Sequence, residues 1–323
     1  MIPRLLMISH VLPAHPASGQ QRRVNMMLRM AREYFHTTLL TYSASIGSYQ
    51  TEVEDLCDSL LVLPSSNFSV LDKLYNLPGY LLYKLRHGLK RSNYVIGEIQ
   101  FSPDRVRNIL RSQHFDFVIF EYWHAYRSTN IFDSNQTVRI LDMHDVLWKA
   151  YEVSMKTSSL PSSIKCRMVN RYRCQEEAAW NHFDRIITIN SQERQLVRSS
   201  VSSNIVIDYL PMGVDLREWQ FISKIYDMQP KRIGFYGGLG SSVNVRSALV
   251  CLDEVMPSIW AKDPTVEFWL VGNKPADVLI QRAKADSRIR VTGFVEDVGS
   301  VLSKLTAVLC PWVGTYGFRS RII

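Results

Sequence analysis

Short apolar runs alternate with helical patterns through the first two thirds of the chain. Ile2 to Ser9 is apolar enough for a buried strand, and Leu39 to Tyr42 reads as another. Between them Val24, Met27, Leu28, Ala31 and Phe35 recur at helical spacing and form one apolar stripe. The spacing predicts a strand, loop, helix, strand unit. Phe117 to Phe120, Val138 to Asp142 and Arg185 to Ile189 are further strands, the last introduced by a helix from about Lys165 to Asn181. Strands buried on both faces by helices are what a parallel sheet requires. Ligands of such sheets lie beyond the strands' carboxyl ends, so His10, Glu121, His144 and Ser191 mark where a site would be built.

A second alternation follows Pro211-Met212-Gly213-Val214-Asp215 and a polar stretch to Lys231. It predicts strands at Arg232 to Tyr236, Val266 to Val271, Ile289 to Val291 and Ala307 to Cys310, and helices at Asn244 to Trp260 and Ala276 to Ala285. After Cys310 come a glycine-containing loop, Trp312 to Gly317, and one turn of a helix. The expectation is α/β, with two facing Rossmann-like domains of parallel strands, residues 1–212 and 213–323, the second incomplete.

Composition narrows the class. The 323 residues are 46% hydrophobic and 21% charged, as in globular domains. The five cysteines are scattered singly, without CxxC pairs, and read as reduced thiols. Met1 to Ile8 is too short for a signal peptide, and no run reaches the ~18 apolar residues of a membrane span. These features point to the cytoplasm. A net charge of +8 favours anionic partners, but no zinc finger, aromatic RNA-binding signature or dense basic tract supports nucleic acid. Residues 71–94 interleave Leu74, Tyr75, Tyr80 and Leu81 with Lys73, Lys84, Arg86 and Lys90. Such a segment either lies in a membrane interface or packs on its own domain.

Several groups could carry chemistry. Gly19 closes the loop between the first strand and first helix, as a turn glycine or as the point where backbone approaches a ligand. His144 stands just past a strand end between Asp142 and Asp145, neighbours that can fix its tautomer and raise its basicity; the alternative is a satisfied surface histidine. Gly237, Gly238 and Gly240 follow a strand and open a helix, the geometry that cradles a diphosphate, or simply a tight turn. Gly317 with Arg319 and Arg321 repeats the device and adds guanidinium groups suited to phosphate. No GxGxxG fingerprint is present, which weakens a nicotinamide-dinucleotide reading.

These residues together resemble the family 4 (group 1) glycosyltransferases, within them the sugar transferases of exopolysaccharide and capsule pathways. The resemblance rests on Leu141-Asp142-Met143-His144-Asp145, on Asp184 to Ser191, on Pro211 to Asp215, on Val271-Gly272 and on Gly293 to Asp297. It implies a GT-B fold and transfer of a sugar from a nucleotide-diphosphate donor to a saccharide or lipid-linked acceptor, with retention and without an essential metal or other cofactor. The first domain would face the acceptor, with His144 on the donor sugar and Gly19 near the donor phosphates. The second would hold the nucleotide through Gly237, Gly238, Asn244, Arg246, Gly272, Phe294, Val295, Gly317, Arg319 and Arg321. Where many relatives carry an Arg and a Lys on the leaving phosphate, this chain carries Gly238 and Asn244. Two glutamates seven residues apart are expected beyond Arg321, and the sequence reaches only Ile323, so the expectation is a chain truncated inside its donor site. The alternatives are an inactive remnant or scaffold and a nucleotide-sugar epimerase of the same fold.

Overall fold

The computed structural model describes residues 2–14, 18–64, 100–111, 113–156, 158–216 and 230–311. The segment 71–94, together with Gly317, Arg319 and Arg321, lies outside them. The chain divides into two compact units, one from Met1 to Met212 and one from Gly213 onward.

The described residues of the amino-terminal unit form seven parallel strands: β1 (Arg4–Ile8), β2 (His36–Tyr42), β3 (Ser59–Leu63), β4 (Phe117–Glu121), β5 (Val138–Asp142), β6 (Arg185–Thr188) and β7 (Val206–Tyr209). Their order is β3-β2-β1-β4-β5-β6-β7, so the winding direction reverses between β1 and β4. Alternation along β1 sends Leu6 and Ile8 to one core and Leu5 and Met7 to the other, and both faces of the sheet are covered. β3 and β7, the sheet's edges, were not legible beforehand. Each is a short run that gains its meaning only from pairing with a buried neighbour.

Helix α1 (Gly19–Arg32) follows β1. Ser18 caps it in a reciprocal box, its hydroxyl accepting the Gln21 N–H while the Gln21 side chain accepts the Ser18 N–H. Val24 and Leu28, from the predicted stripe, are buried beneath it. After β5 an unforeseen helix, α2 (Leu147–Lys156), precedes α3 (Ser162–Trp180). The first N–H groups of α2 are satisfied from a distance: buried Glu176 of α3 accepts those of Leu147 at 2.9 Å and Trp148 at 2.7 Å. That pair of bonds pins the chain immediately after residue 144.

Elsewhere in this unit, paired charges lie across strands. Asp184 takes the Arg139 guanidinium through both oxygens (2.9 Å to Nε, 2.7 Å to Nη2) and Asp208 takes that of Arg185. Asn190 caps the helix Ser191–Ser200. Fold maintenance thus accounts for much of the Asp184 to Ser191 motif.

Among its described residues the carboxy-terminal unit has four parallel strands, β8 (Arg232–Tyr236), β9 (Glu267–Val271), β10 (Ile289–Gly293) and β11 (Ala307–Val308), in the order β10-β9-β8-β11. This repeats the first four strands of the other sheet, and direction again reverses beside its first strand. The predicted helix Asn244 to Trp260 is observed from Ser242, but Cys251–Val255 widen into a π turn. Pro257 lies at the start of the final segment, and without an N–H it cannot continue the regular ladder. None of the described helices is long and apolar enough to cross a membrane.

Replacing Glu176 by Ala should cost about 2–3 kcal/mol, because one buried and one part-buried N–H group lose a charged acceptor. Urea unfolding followed by far-ultraviolet dichroism measures this, and a midpoint equal to wild type would contradict it.

Candidate functional site

The candidate site forms at the reversal point of the first sheet, where β1, β4 and β5 end side by side. Each strand delivers titratable side chains: His10 after β1, Glu121, Tyr122 and His124 at β4, and Asp142, His144 and Asp145 at β5. Backbone geometry here is unusual. Tyr122 and His144 both have positive φ, 69° and 56°, two of only four such non-glycine residues among those described. Each costs of order 1–3 kcal/mol, and such strain concentrates at functional sites. The two rings stack on each other, centroids 4.3 Å apart and planes 9° from parallel. His10 and His124 add further ring contacts to Tyr122, at 5.3 and 5.9 Å.

His144 belongs to a buried set of titratable side chains. Glu121 is 2% exposed, Asp142 0%, His144 4% and Arg23, from α1, 4%. The Arg23 fork grips Asp142 through Nε (2.6 Å) and Nη2 (2.7 Å), and its Nη1 donates to the Leu210 carbonyl at 3.1 Å. His144 Nε2 hydrogen-bonds Glu121 Oε2 and stands 3.9 Å from Asp142 Oδ2. Its Nδ1 has no hydrogen-bond partner among the described residues.

The flanking carboxylates are therefore Asp142 and Glu121, not the sequence neighbours Asp142 and Asp145, and His144 is a buried rather than a surface histidine. Glu121, one of the strand-end residues marked in the sequence, belongs to the arrangement, as do Arg23 and Tyr122, to which no role was assigned; Arg23 lies 119 residues from its partner.

Burial disfavours a charged His144, but nearby Asp142 and the hydrogen bond that the ring donates to Glu121 outweigh it and raise its pKa. Burial, followed by the repulsion of Asp142, pushes Glu121 up as well. His10 goes the other way, down to about 4, through burial and then repulsion from His144.

Glu121, Asp142 and His144 also bring ligand-type atoms within 4.8 Å of one another, the one such grouping among the described residues. Both oxygens of Asp142 already hold the guanidinium, so Arg23 supplies the positive charge a metal ion would bring. The donor set fits an ion pair better than a metal.

In the carboxy-terminal unit the glycine loop after β8 is mostly engaged by its own fold. Gly237 N–H donates to the Val271 carbonyl and Leu239 N–H to that of Asn273. The Asn244 side chain donates to the Gly238 carbonyl at 2.9 Å. At Gly272, with φ of 152°, a Cβ would stand 1.8 Å from the Gly237 carbonyl oxygen, so that glycine serves the contact between two loops. Arg246 is exposed and makes no ion pair among the described residues. In the turn after β10, Gly293 takes φ of 71°, Val295 packs on a core cluster and Asp297 caps the following helix. Phe294, 75% exposed, has no such structural duty.

Two units with parallel sheets of this winding constitute the GT-B fold, and comparison with solved structures bears this out. The chain is similar to sucrose-phosphate synthase from Thermosynechococcus elongatus (TM-score 0.58, 15% identity, covering 95% of this chain and 74% of that one). It is also similar to TarM (0.59, 9%, 95% and 80%) and to HepE of Anabaena, solved with UDP and glucose (0.53, 12%, 95% and 73%). Residues 230–323 match the family described as glycosyl transferases group 1, so this part of the chain is similar to a glycosyltransferase domain. No curated protein matches it.

Because its pKa is lowered, His10 binds its proton more readily in the unfolded chain than in the native one between about pH 6.5 and about 4. Stability should therefore fall as pH drops through that window, by about 1–2 kcal/mol from this half-buried residue. His10→Asn should flatten that part of the profile; an unchanged slope in the pH dependence of urea unfolding would contradict the assignment.

Proposed function

We propose that the chain transfers a sugar from a nucleotide-diphosphate donor to a saccharide or lipid-linked acceptor, with retention and without an essential metal, in polysaccharide biosynthesis. The observation that carries this reading is the match of residues 230–323 to a glycosyltransferase family in a chain of GT-B fold. A similar protein solved with UDP and glucose supports a nucleotide-sugar donor. The carboxy-terminal unit holds the nucleotide in this reading, with exposed Phe294 beside the base and Arg246, Arg319 and Arg321 near the diphosphate. The amino-terminal unit serves the acceptor, with His144 and Gly19 at the donor sugar and phosphates. The reading places the protein in the cytoplasm, with residues 71–94 as a peripheral membrane contact.

The bond between the anomeric carbon and the phosphate oxygen breaks, and the nucleotide diphosphate leaves with the electron pair. The acceptor hydroxyl oxygen bonds to the same face of that carbon and gives its proton to the departing phosphate. Separating that charge is the difficult step, so N–H dipoles and guanidinium groups aimed at the leaving phosphate lower the barrier. Asn244, tied to Gly238, acts here by shaping the loop.

Calorimetry with UDP, GDP and ADP tests nucleotide recognition, and binding of none would favour a scaffold. Phe294→Ala should weaken the bound nucleoside diphosphate about 3- to 10-fold by loss of ring stacking, leaving inorganic diphosphate unaffected. Equal weakening of both would remove Phe294 from the base. With the donor so identified, His144→Ala should cut turnover at saturating donor about a hundredfold or more. Product formation without an acceptor would point to an epimerase instead.

A further inference from the structure

We propose that His144 is a protonated imidazole at neutral pH, fixed through Nε2 to Glu121, and that it meets a ligand oxygen as a cationic Nδ1–H donor rather than as a base. The ligand half of this proposal rests on the function above. The charge state does not.

The structure supports it through charge, geometry and ring contact. Glu121 and Asp142 bring two carboxyl groups into a region that excludes water. Arg23 compensates one of them, through two short bonds to Asp142. A neutral His144 beside an ionised Glu121 would leave one buried negative charge without a counter-charge, a state that costs several kcal/mol. One proton shared by Glu121 and His144 makes the set of four neutral.

That proton has two places to reside, and imidazole is intrinsically more basic than carboxylate by about 2 pKa units. Asp142 Oδ2, 3.9 Å from Nε2, favours positive charge on the ring. The face of Tyr122, parallel to the imidazole at 4.3 Å, favours it too, because an aromatic face attracts a cation. Against it stand Arg23, the burial of the ring, and the burial of Glu121, which together with Asp142 raises the pKa of that carboxyl as well. The other charged or titratable neighbours are His10, lowered to about 4 and so neutral, His124 and Asp145. No described cation other than Arg23 opposes charge on His144.

The geometry then separates the two ring nitrogens. Nε2 is committed to Glu121, whereas Nδ1 has no partner among the described residues. Both residues 122 and 144 have positive φ, and their rings stack directly after the strand ends. A ring so held has no free lone pair and cannot take a proton from an acceptor hydroxyl.

Nitrogen-15 NMR of the histidine rings in the whole protein tests this without any ligand, with His144 assigned by the His144→Gln variant. The expected result is a doubly protonated ring at about pH 7, with its midpoint above the ordinary value near 6.5. In Glu121→Gln the midpoint should fall by about one unit or more, and in Arg23→Met it should rise, since one variant removes a negative and the other a positive neighbour. A neutral single tautomer in the wild type at about pH 7 would overturn the proposal, even if both variants fail to fold. So would midpoints that ignore both substitutions. Because no nucleotide is needed, failure of the transferase reading shows separately in the calorimetry.

Discussion

The grip of Arg23 on Asp142 is the contact on which the candidate site depends. It joins the first helix to the end of the fifth strand, and its third bond reaches the Leu210 carbonyl just before the chain leaves the unit. Two charges in a dry interior are tolerated only when paired with good geometry, and a two-toothed guanidinium provides it. With Asp142 fixed, Glu121 and His144 form the second pair, and the Tyr122 ring covers the imidazole.

Around that centre the fold contributes rigidity rather than chemistry. The sheet is buried on both faces, so strand ends are held by two cores at once. Glu176 fastens the segment after His144 by accepting the first N–H groups of the next helix. These restraints supply the stability against which left-handed backbone at Tyr122 and His144 is maintained.

The carboxy-terminal unit divides its motif residues differently. Gly237, Gly272, Gly293, Val295 and Asp297 are each explained by loop contact, backbone angle, core packing or helix capping. What remains after that subtraction is Phe294, an exposed aromatic ring in a turn. Glycine-rich turns signal tight backbone first, and a ligand only where groups are left without structural work.

The sequence by itself determined the α/β class, the succession of most strands, and the strand ends at which the site stands. Those follow from local periodicity, because a buried parallel strand must be apolar wherever it runs. It also marked His144, by its place just past an apolar run. Only the tertiary structure decided what His144 touches. Its sequence neighbours Asp142 and Asp145 were the expected partners, yet Glu121 takes the place of Asp145, because strand pairing sets Glu121 beside Asp142 at the ends of β4 and β5. Arg23 was invisible for the same reason. A lone arginine on an amphipathic helix looks like a solvated one until the fold brings a carboxylate from 119 residues away to meet it, since pairing depends on distance in space and not along the chain.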